Sequence, residues 1–417
     1  MNRDAALEDA RAAAEAAARR SYGKLVALLS ARSRDVAGAE DALSEAFAAA
    51  LKQWPESGVP ANPEGWLLAV ARRRGIDQAR RRQTTVDARA HLTLIAEEAE
   101  AVAGTEHDLP DERLRLMFAC AHPAIEPGIR APLILQTVLG FDAAAIASAF
   151  LVPPATMAQR LVRAKARIRE AGIPFSIPER AQLAERLGAV LAAIYATFSE
   201  GWGDAHDGES RQRNLAREGI WLGRLVAALM PDEPEALSLL ALMLFAEARR
   251  AARRSEAGDY VPLAEQDTNR WDHAMLSEAE RLLAQAGRLA GLGRYQIEAA
   301  VQAVHAARRI LGHTDWRAIV TLYDALATIS ASPVVAINRA VALAALDGPV
   351  AGLAALASVR DAPNIGDYQP YWAALAALSA EAGNTPDALE AYDRGVGLAA
   401  DEAVRRFLLE KRARLTS

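Results

Sequence analysis

The chain has 417 residues, and 52 % of them are hydrophobic, which is enough for about two to four domains with buried cores. The formal net charge of −5 excludes a protein that coats nucleic acid with its whole surface, so contacts with DNA have to come from local basic clusters. Aromatic residues make up only 6 %, alanine is abundant, and runs of β-branched residues are scarce. Since alanine favours helices and β-branched residues favour strands, the composition predicts an all-α fold.

One cysteine and the lack of a long apolar stretch restrict the class of protein further. A lone Cys120 excludes an internal disulfide bond and a cysteine-based zinc site, and the apolar run around it predicts a core residue. No apolar run reaches the ~18 residues that cross a bilayer. Residues 1–20 are rich in alanine but interrupted by charges, unlike a signal peptide. The sequence therefore predicts a soluble, cytoplasmic protein.

Loops and charge divide the sequence into four predicted segments. Residues 1–86 form a first helical domain that ends in an arginine tract, and residues 87–110 form an acidic linker. A second small domain covers 111–177 and closes near Gly172, a residue type that ends helices. Residues 178–417 form a long extension rich in alanine and leucine. Because basic residues cluster in the two small domains of an acidic chain, we expect two separate surfaces that face phosphate.

The first domain contains an amphipathic helix over residues 39–54. Apolar residues repeat in it at helical spacing and are predicted to pack inward: Ala39, Leu43, Ala46, Phe47 and Leu51. The polar residues between them are predicted to point outward: Glu40, Asp41, Ser44, Glu45 and Lys52. The helix therefore offers a mainly acidic surface to a partner.

A second helix of this domain is predicted after a loop over residues 55–63. Asn62, followed by a proline and a glutamate, is typical of a helix start, and Trp66 is among the apolar contacts of the helix. Charged residues are predicted to lie near one another on its surface: Arg73, Asp77, Arg80 and Arg81. Arginine beside an aromatic ring suits single-stranded as well as duplex DNA, because bases stack on both groups. The plain alternative is a basic helix exposed to solvent.

The basic cluster of the second domain has the pattern of a helix-turn-helix. A short helix is predicted over 141–150, a turn over 151–154 that includes a helix-starting proline, and a longer helix over 155–170. Apolar residues of the longer helix share an inward face: Met157, Leu161, Ala164 and Ile168. Another face carries Thr156, Arg160, Arg163 and Arg167. Arginine is attracted to phosphate and binds guanine edges with two hydrogen bonds, so this face is predicted to meet DNA.

Two stretches resemble the extracytoplasmic-function class of sigma factors of bacterial RNA polymerase. AEDALSEAFAAALKQW followed by NPEGWLLAVARRRGIDQARRR resembles the first conserved domain of that class. AAAIASAFLVPPATMAQRLVRAKARIR resembles its second domain, a helix-turn-helix, and the order and separation of the two also fit. One departure from the class pattern is Arg73, where most members have an asparagine.

The resemblance implies an alternative sigma factor with two partners, core RNA polymerase and promoter DNA. The first domain would dock on polymerase through Glu40, Asp41, Ser44 and Glu45. The following helix would recognise the minus-ten element through Trp66, Arg72, Arg73, Asp77, Arg80 and Arg81. The helix of the second domain would recognise the minus-thirty-five element through Thr156, Gln159, Arg160, Arg163 and Arg167. Nucleotide transfer belongs to the polymerase, so no catalytic residue, metal or cofactor is expected in this chain.

The extension resembles the subgroup of this class that carries tetratricopeptide-like repeats at its C-terminus. Runs such as GRYQIEAAVQAVHAAR and SPVVAINRAVALAALDGP carry that resemblance. Residues 372–395 follow the repeat's pattern of small and aromatic residues, and 338–359, with a turn at Asp347 and Gly348, is a looser copy about 34–36 residues earlier. Over 180–309 helical hairpins without a regular repeat are predicted. A helical solenoid offers a concave surface to a peptide or a protein domain.

The sequence contains little that points to an enzyme. Residues 200–207 bring carboxylates and one histidine together, but none of the usual protease, phosphate-loop or hydrolase motifs accompanies them, and an exposed loop is predicted. Residues 271–273 and His305 are predicted to be packing or capping residues. Two non-catalytic alternatives stay open. A helix-turn-helix regulator would bind an operator without polymerase and use the extension as a sensor, whereas a tetratricopeptide scaffold would have an incidental basic N-terminus.

Overall fold

The computed structural model describes residues 3–33, 35–82, 109–150, 152–174, 178, 180–202, 209–330, 332–362 and 365–416; for some helical residues, 75–82 among them, it describes the backbone and not the side chains. In these ranges the regular structure is helical, apart from one isolated antiparallel bridge between Arg254 and Tyr260, which confirms the all-α prediction. None of the described helices is long and apolar enough to cross a membrane. The chain divides into two compact units, Met1–Ala193 and Ile194–Ser417. The domain boundaries drawn from the sequence stay predictions.

Unit 1 contains helices from both small domains that the sequence predicts. Its helices are α1 (Arg3–Ser33), α2 (Val36–Ser57), α3 (Pro63–Arg82), α4 (Leu109–Cys120), α5 (Pro127–Thr137), α6 (Ala143–Ala149), α7 (Pro154–Glu170) and the first part of α8 (Arg180–Trp202). Helix α1 lies against α2 and α3 and also contacts α4 and α5, and α2 contacts α7. The core is mostly alanine and leucine, with Trp54 and Phe118 as its largest fully buried side chains. Burying one leucine stabilises the fold by about 1.5–3 kcal/mol.

The ends of α2 follow from local sequence. The carboxylate of Asp35 accepts a hydrogen bond from the backbone N–H of Gly38 at 3.0 Å and so caps the N-terminus. The helix does not end at Pro55, where the loop was predicted, and continues to Ser57. A proline so near the C-terminus removes only one backbone hydrogen bond, which the rest of the helix tolerates. Gly58 then leaves the helix with a φ of 83°, which favours glycine.

Unit 2 consists of consecutive helices that pack in pairs. They are α9 (Glu209–Leu229), α10 (Pro234–Glu247), α11 (His273–Ala286), α12 (Arg294–Leu311), α13 (Trp316–Ile329), α14 (Pro333–Asp347), α15 (Pro349–Ala357), α16 (Gln369–Glu381), α17 (Thr385–Leu398) and α18 (Glu402–Ala413). The predicted turn after Asp347 is confirmed, since Gly348 follows α14 with a φ of 95°. In the pair α14–α15, a Cβ on Gly352 would lie 2.5 Å from the Cβ of Ala344 and 2.9 Å from the carbonyl oxygen of Ala340. The glycine lets these two helices approach closely.

The segment between α10 and α11, residues 248–272, is not an α-helix, although helix was predicted for the whole chain. Its regular structure consists of short 3₁₀ turns and the bridge between Arg254 and Tyr260. Arg308 donates hydrogen bonds to the carbonyl oxygens of Ala264 at 2.6 Å and Gln266 at 2.8 Å, and Arg270 donates to two further carbonyls of the segment. These arginines satisfy backbone groups that a helix would have satisfied internally.

Two of the residues predicted to pack or to cap, Trp271 and His305, pack against aromatic or cationic groups. Trp271 is 2 % exposed, and the guanidinium of Arg308 lies 5.3 Å above its ring. The ring of His305 meets that of Trp316 edge to face at 5.6 Å. Burial, with Arg249 and Arg308 nearby, lowers the pKa of His305 to about 4, so this histidine is neutral at pH 7.

Candidate polymerase and promoter interfaces

Helix α7 has the geometry of the second helix of a helix-turn-helix. The short helix α6 is capped by Asp142, whose carboxylate accepts a hydrogen bond from the N–H of Ala145 at 2.8 Å. Helix α7 begins with the predicted proline start at Pro154, and Gly172, with a φ of 59°, follows its end. All the residues predicted to face inward are buried, at 5 % exposure or less: Met157, Leu161, Ala164 and Ile168. Helices α5 and α6 pack against α7.

The opposite face of α7 is open to solvent. Its exposed residues include Thr156, Gln159, Val162, Arg163 and Arg167. Val162 is 67 % exposed and adds an apolar group to this face. Within the described part of the chain, Arg163 and Arg167 take part in no ion pair. The face therefore combines cations, an amide, a hydroxyl and an apolar group, which are the groups that bind phosphates and base edges.

Other basic residues of α7 do have acidic partners. Arg160 donates to Glu126 at 3.0 Å, with the arginine side chain 37 % exposed and the glutamate side chain 62 % exposed. Lys165 lies on the opposite flank and donates to Glu40 of α2 at 2.6 Å. Arg160 thus lies at the edge of the predicted DNA face and not at its centre.

Helix α2 presents only part of the predicted polymerase surface to solvent. Asp41, Ser44 and Glu45 are exposed, and Glu45 accepts a hydrogen bond from Arg74 of α3 at 3.0 Å. The prediction that Glu40 points outward is wrong, because its side chain is 14 % exposed and faces α7. The prediction that Leu51 packs inward is also wrong, because its side chain is 42 % exposed. Trp54 completes the buried face of the helix instead.

Helix α3 places the residues predicted to recognise the minus-ten element. The side chain of Asn62 accepts a hydrogen bond from the N–H of Gly65 at 2.9 Å, which confirms the predicted helix start. Trp66 is half-buried and its ring meets that of Trp54 edge to face, with 5.4 Å between centroids. Arg72 is half-buried and Arg73 is exposed. The remaining predicted side chains lie outside those that the structure describes: Asp77, Arg80 and Arg81.

Polar side chains in the interior of unit 1 include Tyr22 of α1, Cys120 of α4 and Thr137 of α5. Burial raises the pKa of Tyr22, and the acids Glu40 and Asp41 raise it further. Cys120 is fully buried beside the hydroxyl of Thr137 at 3.4 Å, and burial raises the pKa of its thiol to about 12. The thiol is therefore unreactive, and Cys120 is a core residue as predicted.

No metal site is found among the described residues. Nowhere in them do three or more histidine, cysteine, aspartate or glutamate side chains come together as ligands. The acidic stretch 200–207 noted in the sequence lies mostly outside the described residues, which break off after Trp202 and resume at Glu209.

Comparison with known proteins identifies the family. Residues 18–85, which contain α2 and α3, match the model of sigma-70 region 2, and residues 186–287 match a family of unknown function, DUF6596. Over 376 residues the chain is 38 % identical to the uncharacterized protein R00370 of Rhizobium meliloti (strain 1021), covering 89 % of this chain and 88 % of that protein. The chain belongs to the sigma-70 family of sigma factors. No solved structure matches this sigma factor.

Sigma factors of this family are initiation factors without enzymatic activity, and their partners are core RNA polymerase and promoter DNA. The region 2 match contains all the sequence-predicted residues of α2 and α3.

Sequence reasoning on this sigma factor missed the ion pair of Glu40 with Lys165 and the exposed Val162. A signal for Val162 was present, because it is an apolar residue away from the inward positions of α7.

Proposed function

We propose that this protein is a sigma factor of the extracytoplasmic-function class, which binds core RNA polymerase through α2 and recognises promoters through α3 and α7. The observation that carries the proposal is the division of α7 into two faces. The apolar residues of its inward face, Met157, Leu161, Ala164 and Ile168, are buried, while Gln159, Val162 and Arg163 are exposed together. A helix that only packed in a core would not need the exposed polar face, and a helix that only faced solvent would not need the buried apolar face.

The proposed polymerase surface is the exposed side of α2. Ser44 and Glu45 follow Asp41 by about one helical turn on this side, and Glu40 is the neighbouring acid at its edge. Acidic groups on a helix suit a basic surface of the polymerase, because complementary charge steers association and fixes orientation. Glu45 already shows that this face accepts a guanidinium, since it binds Arg74 at 3.0 Å.

The proposed minus-ten surface is α3. Trp66 offers an aromatic ring next to the basic part of the helix, and the residues assigned to this surface are Trp66, Arg72, Arg73, Asp77, Arg80 and Arg81. Opening the duplex costs stacking energy, and stacking of flipped bases on aromatic rings or guanidinium planes recovers part of it.

The proposed minus-thirty-five surface is the open face of α7 in the major groove. The residues assigned to it are Thr156, Gln159, Arg160, Arg163 and Arg167. Glutamine binds adenine with two hydrogen bonds and arginine binds guanine in the same manner, so Gln159 and Arg163 are suited to recognise bases. Arg160, which is bound to Glu126, is better placed for a phosphate.

Residues of unit 2 are proposed to form a tetratricopeptide-like extension that supports promoter-specific activity. The close helix pairs α14–α15 and α16–α17 support this, because paired helices with small residues at their contact are what such a repeat requires. A peptide or protein partner in this extension is part of the proposal.

The experiment that tests the function is co-purification of the full chain with core RNA polymerase, followed by run-off transcription. A sigma factor gives a stable complex and transcripts that start at defined sites. A helix-turn-helix regulator would bind duplex DNA without polymerase, and a scaffold would do neither. Either of those results would overturn the proposal.

A further inference from the structure

Unit 2 contains a small cavity that is lined by the segment 248–272, by α12 and by the start of α13. Its volume is about 50 Å³, and six residues line it: Leu263, Ala264, His305, Arg308, Thr314 and Trp316. Half of them make an apolar wall, and the other half, His305, Arg308 and Thr314, supply polar groups. Binding sites for small molecules combine an apolar lining with a few polar groups in this way.

Two of these polar groups have no hydrogen-bond partner in the part of the chain that the structure describes. The ring of His305 meets Trp316 edge to face at 5.6 Å, but neither of its nitrogens is hydrogen-bonded to a described residue. The hydroxyl of Thr314 makes no such bond either. Both side chains are half-buried. Because polar groups withdrawn from water usually have a partner, these two are available to a ligand in the cavity.

The third polar group, Arg308, is a fixed cation at the wall of the cavity. Its Nη1 donates to the carbonyl oxygen of Ala264 at 2.6 Å, and its Nη2 donates to that of Gln266 at 2.8 Å. The guanidinium also lies 5.3 Å from the centre of the Trp271 ring. A guanidinium carries five N–H groups, so these two bonds hold it in place and leave other donors for a ligand.

No acid of the described ranges neutralises the positive charge beside the cavity. Neither Arg308 nor Arg249 takes part in an ion pair there. Both arginines, together with burial, lower the pKa of His305. Burial, with Arg253 and Arg308 nearby, lowers the pKa of Arg249 to about 10. The potential at the cavity is therefore positive and favours an anion.

The acids that adjoin the lining residues in the sequence do not supply the counter-charge. Asp315 caps α13, since its carboxylate accepts a hydrogen bond from the N–H of Ala318 at 3.0 Å. Glu265 is exposed to solvent, where its charge is screened. Neither acid is among the groups that shift the pKa of His305. Cations held away from water without an anion are costly, so a bound anion would stabilise this arrangement.

The size of the cavity restricts the anion to a small group. A water molecule needs about 10–15 Å³ of such space, so the volume of about 50 Å³ has room for about three to five atoms of that size. A carboxylate group with its adjoining methylene carbon has this size. The apolar wall, which includes Leu263 and Trp316, suits the methylene carbon.

We propose that this cavity is a binding site for a carboxylate group on a short apolar stem. Arg308 gives the carboxylate charge-assisted hydrogen bonds, and the Thr314 hydroxyl and one N–H of neutral His305 donate to its oxygens. The group belongs either to a free carboxylic acid or to an acidic side chain of a peptide. The inference goes beyond the proposed function and does not depend on it, because the site lies within unit 2.

The test titrates the full chain with propionate and follows the indole N–H resonance of Trp316 by NMR, assigned by its loss in Trp316→Phe. Sodium chloride keeps the ionic strength constant, and at neutral pH propionate is charged. We expect a saturable shift with a dissociation constant on the order of 1 mM, as suits a ligand of about five non-hydrogen atoms. Propionamide, which has the same shape without the charge, should cause no shift. Equal shifts with both compounds, or no saturable shift with propionate, would overturn the inference.

Peptides distinguish the two sources of the carboxylate. A capped tripeptide with a central glutamate is titrated beside its glutamine counterpart. Tighter binding of the glutamate peptide than of propionate would identify an acidic side chain as the ligand. Binding of propionate without binding of the peptide would identify a free acid. Both results support a carboxylate site, whereas equal binding of the two peptides and no binding of propionate would contradict it.

Variants of the lining residues test the assignment of the donors. Arg308→Gln should weaken propionate binding at least about tenfold, because a charge-assisted hydrogen bond is lost. Arg317→Gln, which removes an exposed cation of α13, is the matched control and should bind like the parent. Parental affinity of a folded Arg308→Gln protein would refute the site.

A second variant keeps the test decisive, because Arg308 also holds two carbonyl groups of the segment 248–272. Thr314→Val removes the hydroxyl, retains the shape of the side chain and leaves those bonds intact. We expect it to weaken propionate binding about threefold to tenfold, the effect of one hydrogen bond. Thr321→Val, at an exposed threonine of α13, is its control. Parental affinity of the folded Thr314→Val protein would also contradict the inference.

Discussion

The ammonium group of Lys165 lies 2.6 Å from the carboxylate of Glu40, although 125 residues separate the two in the chain. One belongs to the helix-turn-helix and the other to sigma-70 region 2, so this ion pair connects the two parts of unit 1. Both side chains are less than 15 % exposed, which makes the pair sensitive to the loss of either partner.

We expect Lys165→Ala to destabilise the contact of α2 with α7 by about 2 kcal/mol at neutral pH, because Glu40 is left as a buried charge. Hydrogen exchange of the amides in α2 and α7 measures this locally, which avoids treating a two-unit chain as two-state. Arg74→Ala, which removes the exposed partner of Glu45, is the control and should change local stability by about 0.5 kcal/mol or less.

The same variant should show a defined pH dependence. The pKa of Glu40 is raised in the folded protein, and loss of Lys165 raises it further. A carboxyl whose folded pKa lies above its unfolded pKa binds more protons when folded, so stability falls as pH rises between the two values. The deficit of Lys165→Ala should therefore shrink on acidification toward the ordinary glutamate pKa, about 4.3. Adding Glu40→Gln should recover stability at neutral pH, and a deficit that grows in acid would contradict the assignment.

Reversing charge on the exposed face of α2 should abolish association with core polymerase. Asp41→Lys with Glu45→Lys places like charges against a basic surface, which costs several kcal/mol, so we expect at least about a hundredfold weaker binding. Both residues are exposed and helical content should stay the same by circular dichroism. Glu56→Lys, an exposed acid at the other end of α2, is the control. Normal association by the folded double variant would refute the polymerase surface.

Local patterns in the sequence predicted most of the helical architecture and the two faces of α7. Inward positions at helical spacing identified Met157 and Ile168 correctly, and the Asn62 start of α3 followed from capping chemistry. These features depend on neighbours within a few residues, which is why they could be predicted.

Features that depend on tertiary contacts could not be predicted. An acid between two apolar positions looks solvent-facing, and only the packing of α7 on α2 buries Glu40. The segment 248–272 is rich in helix-forming residues, yet it is not an α-helix. Arg308, from α12, and Arg270, near the end of the segment, donate hydrogen bonds to its carbonyl groups and hold it in another conformation. Long-range hydrogen bonds overrode local propensity in that segment.

The arginines of α7 should differ in what they contribute to the upstream element. Arg163 lies on the open face, so Arg163→Ala should cost about 1–3 kcal/mol and relax the preference at one base pair. Arg160 is bound to Glu126, so Arg160→Ala should weaken all sequences alike and flatten the salt dependence of binding. Selection of upstream elements from a randomised promoter pool measures both. If the Arg160, Arg163 and Arg167 variants all select the parental sequence, α7 is not the helix that recognises bases.

Val162 should contact the methyl group of a thymine in the same element. At 67 % exposure it is the most exposed large apolar residue among those that the structure describes in unit 1, and it lies between Gln159 and Arg163 along α7. Replacing each thymine of the element by deoxyuridine removes one methyl group, and at one position we expect about fourfold weaker binding, or 0.8 kcal/mol. Val162→Ala should abolish that difference, and thymines of the spacer serve as the control. Equal sensitivity of parent and variant at every thymine would rule the contact out.

The extension should be needed for full promoter-specific transcription. A cut at the predicted boundary near Pro178 would also remove Leu187 and Arg186, which are buried in unit 1, where Arg186 donates to the carbonyl of Phe118 at 3.4 Å. Loss of activity from that truncation would then report damage to unit 1. A cut after Ala193, at the boundary between the units, keeps these contacts and isolates the role of unit 2.

We expect the protein cut after Ala193 to bind core polymerase but to give less run-off transcript than the full chain, by about tenfold. The physical reason is that folding more than half of the chain into packed helices costs considerable conformational entropy, and selection retains such a segment for a contribution to function. Thermal unfolding of the fragment, which must stay cooperative, is the control for its folding. Raised activity of the fragment would show the opposite role for unit 2, a cover that restrains unit 1, and unchanged activity would show that initiation does not use it.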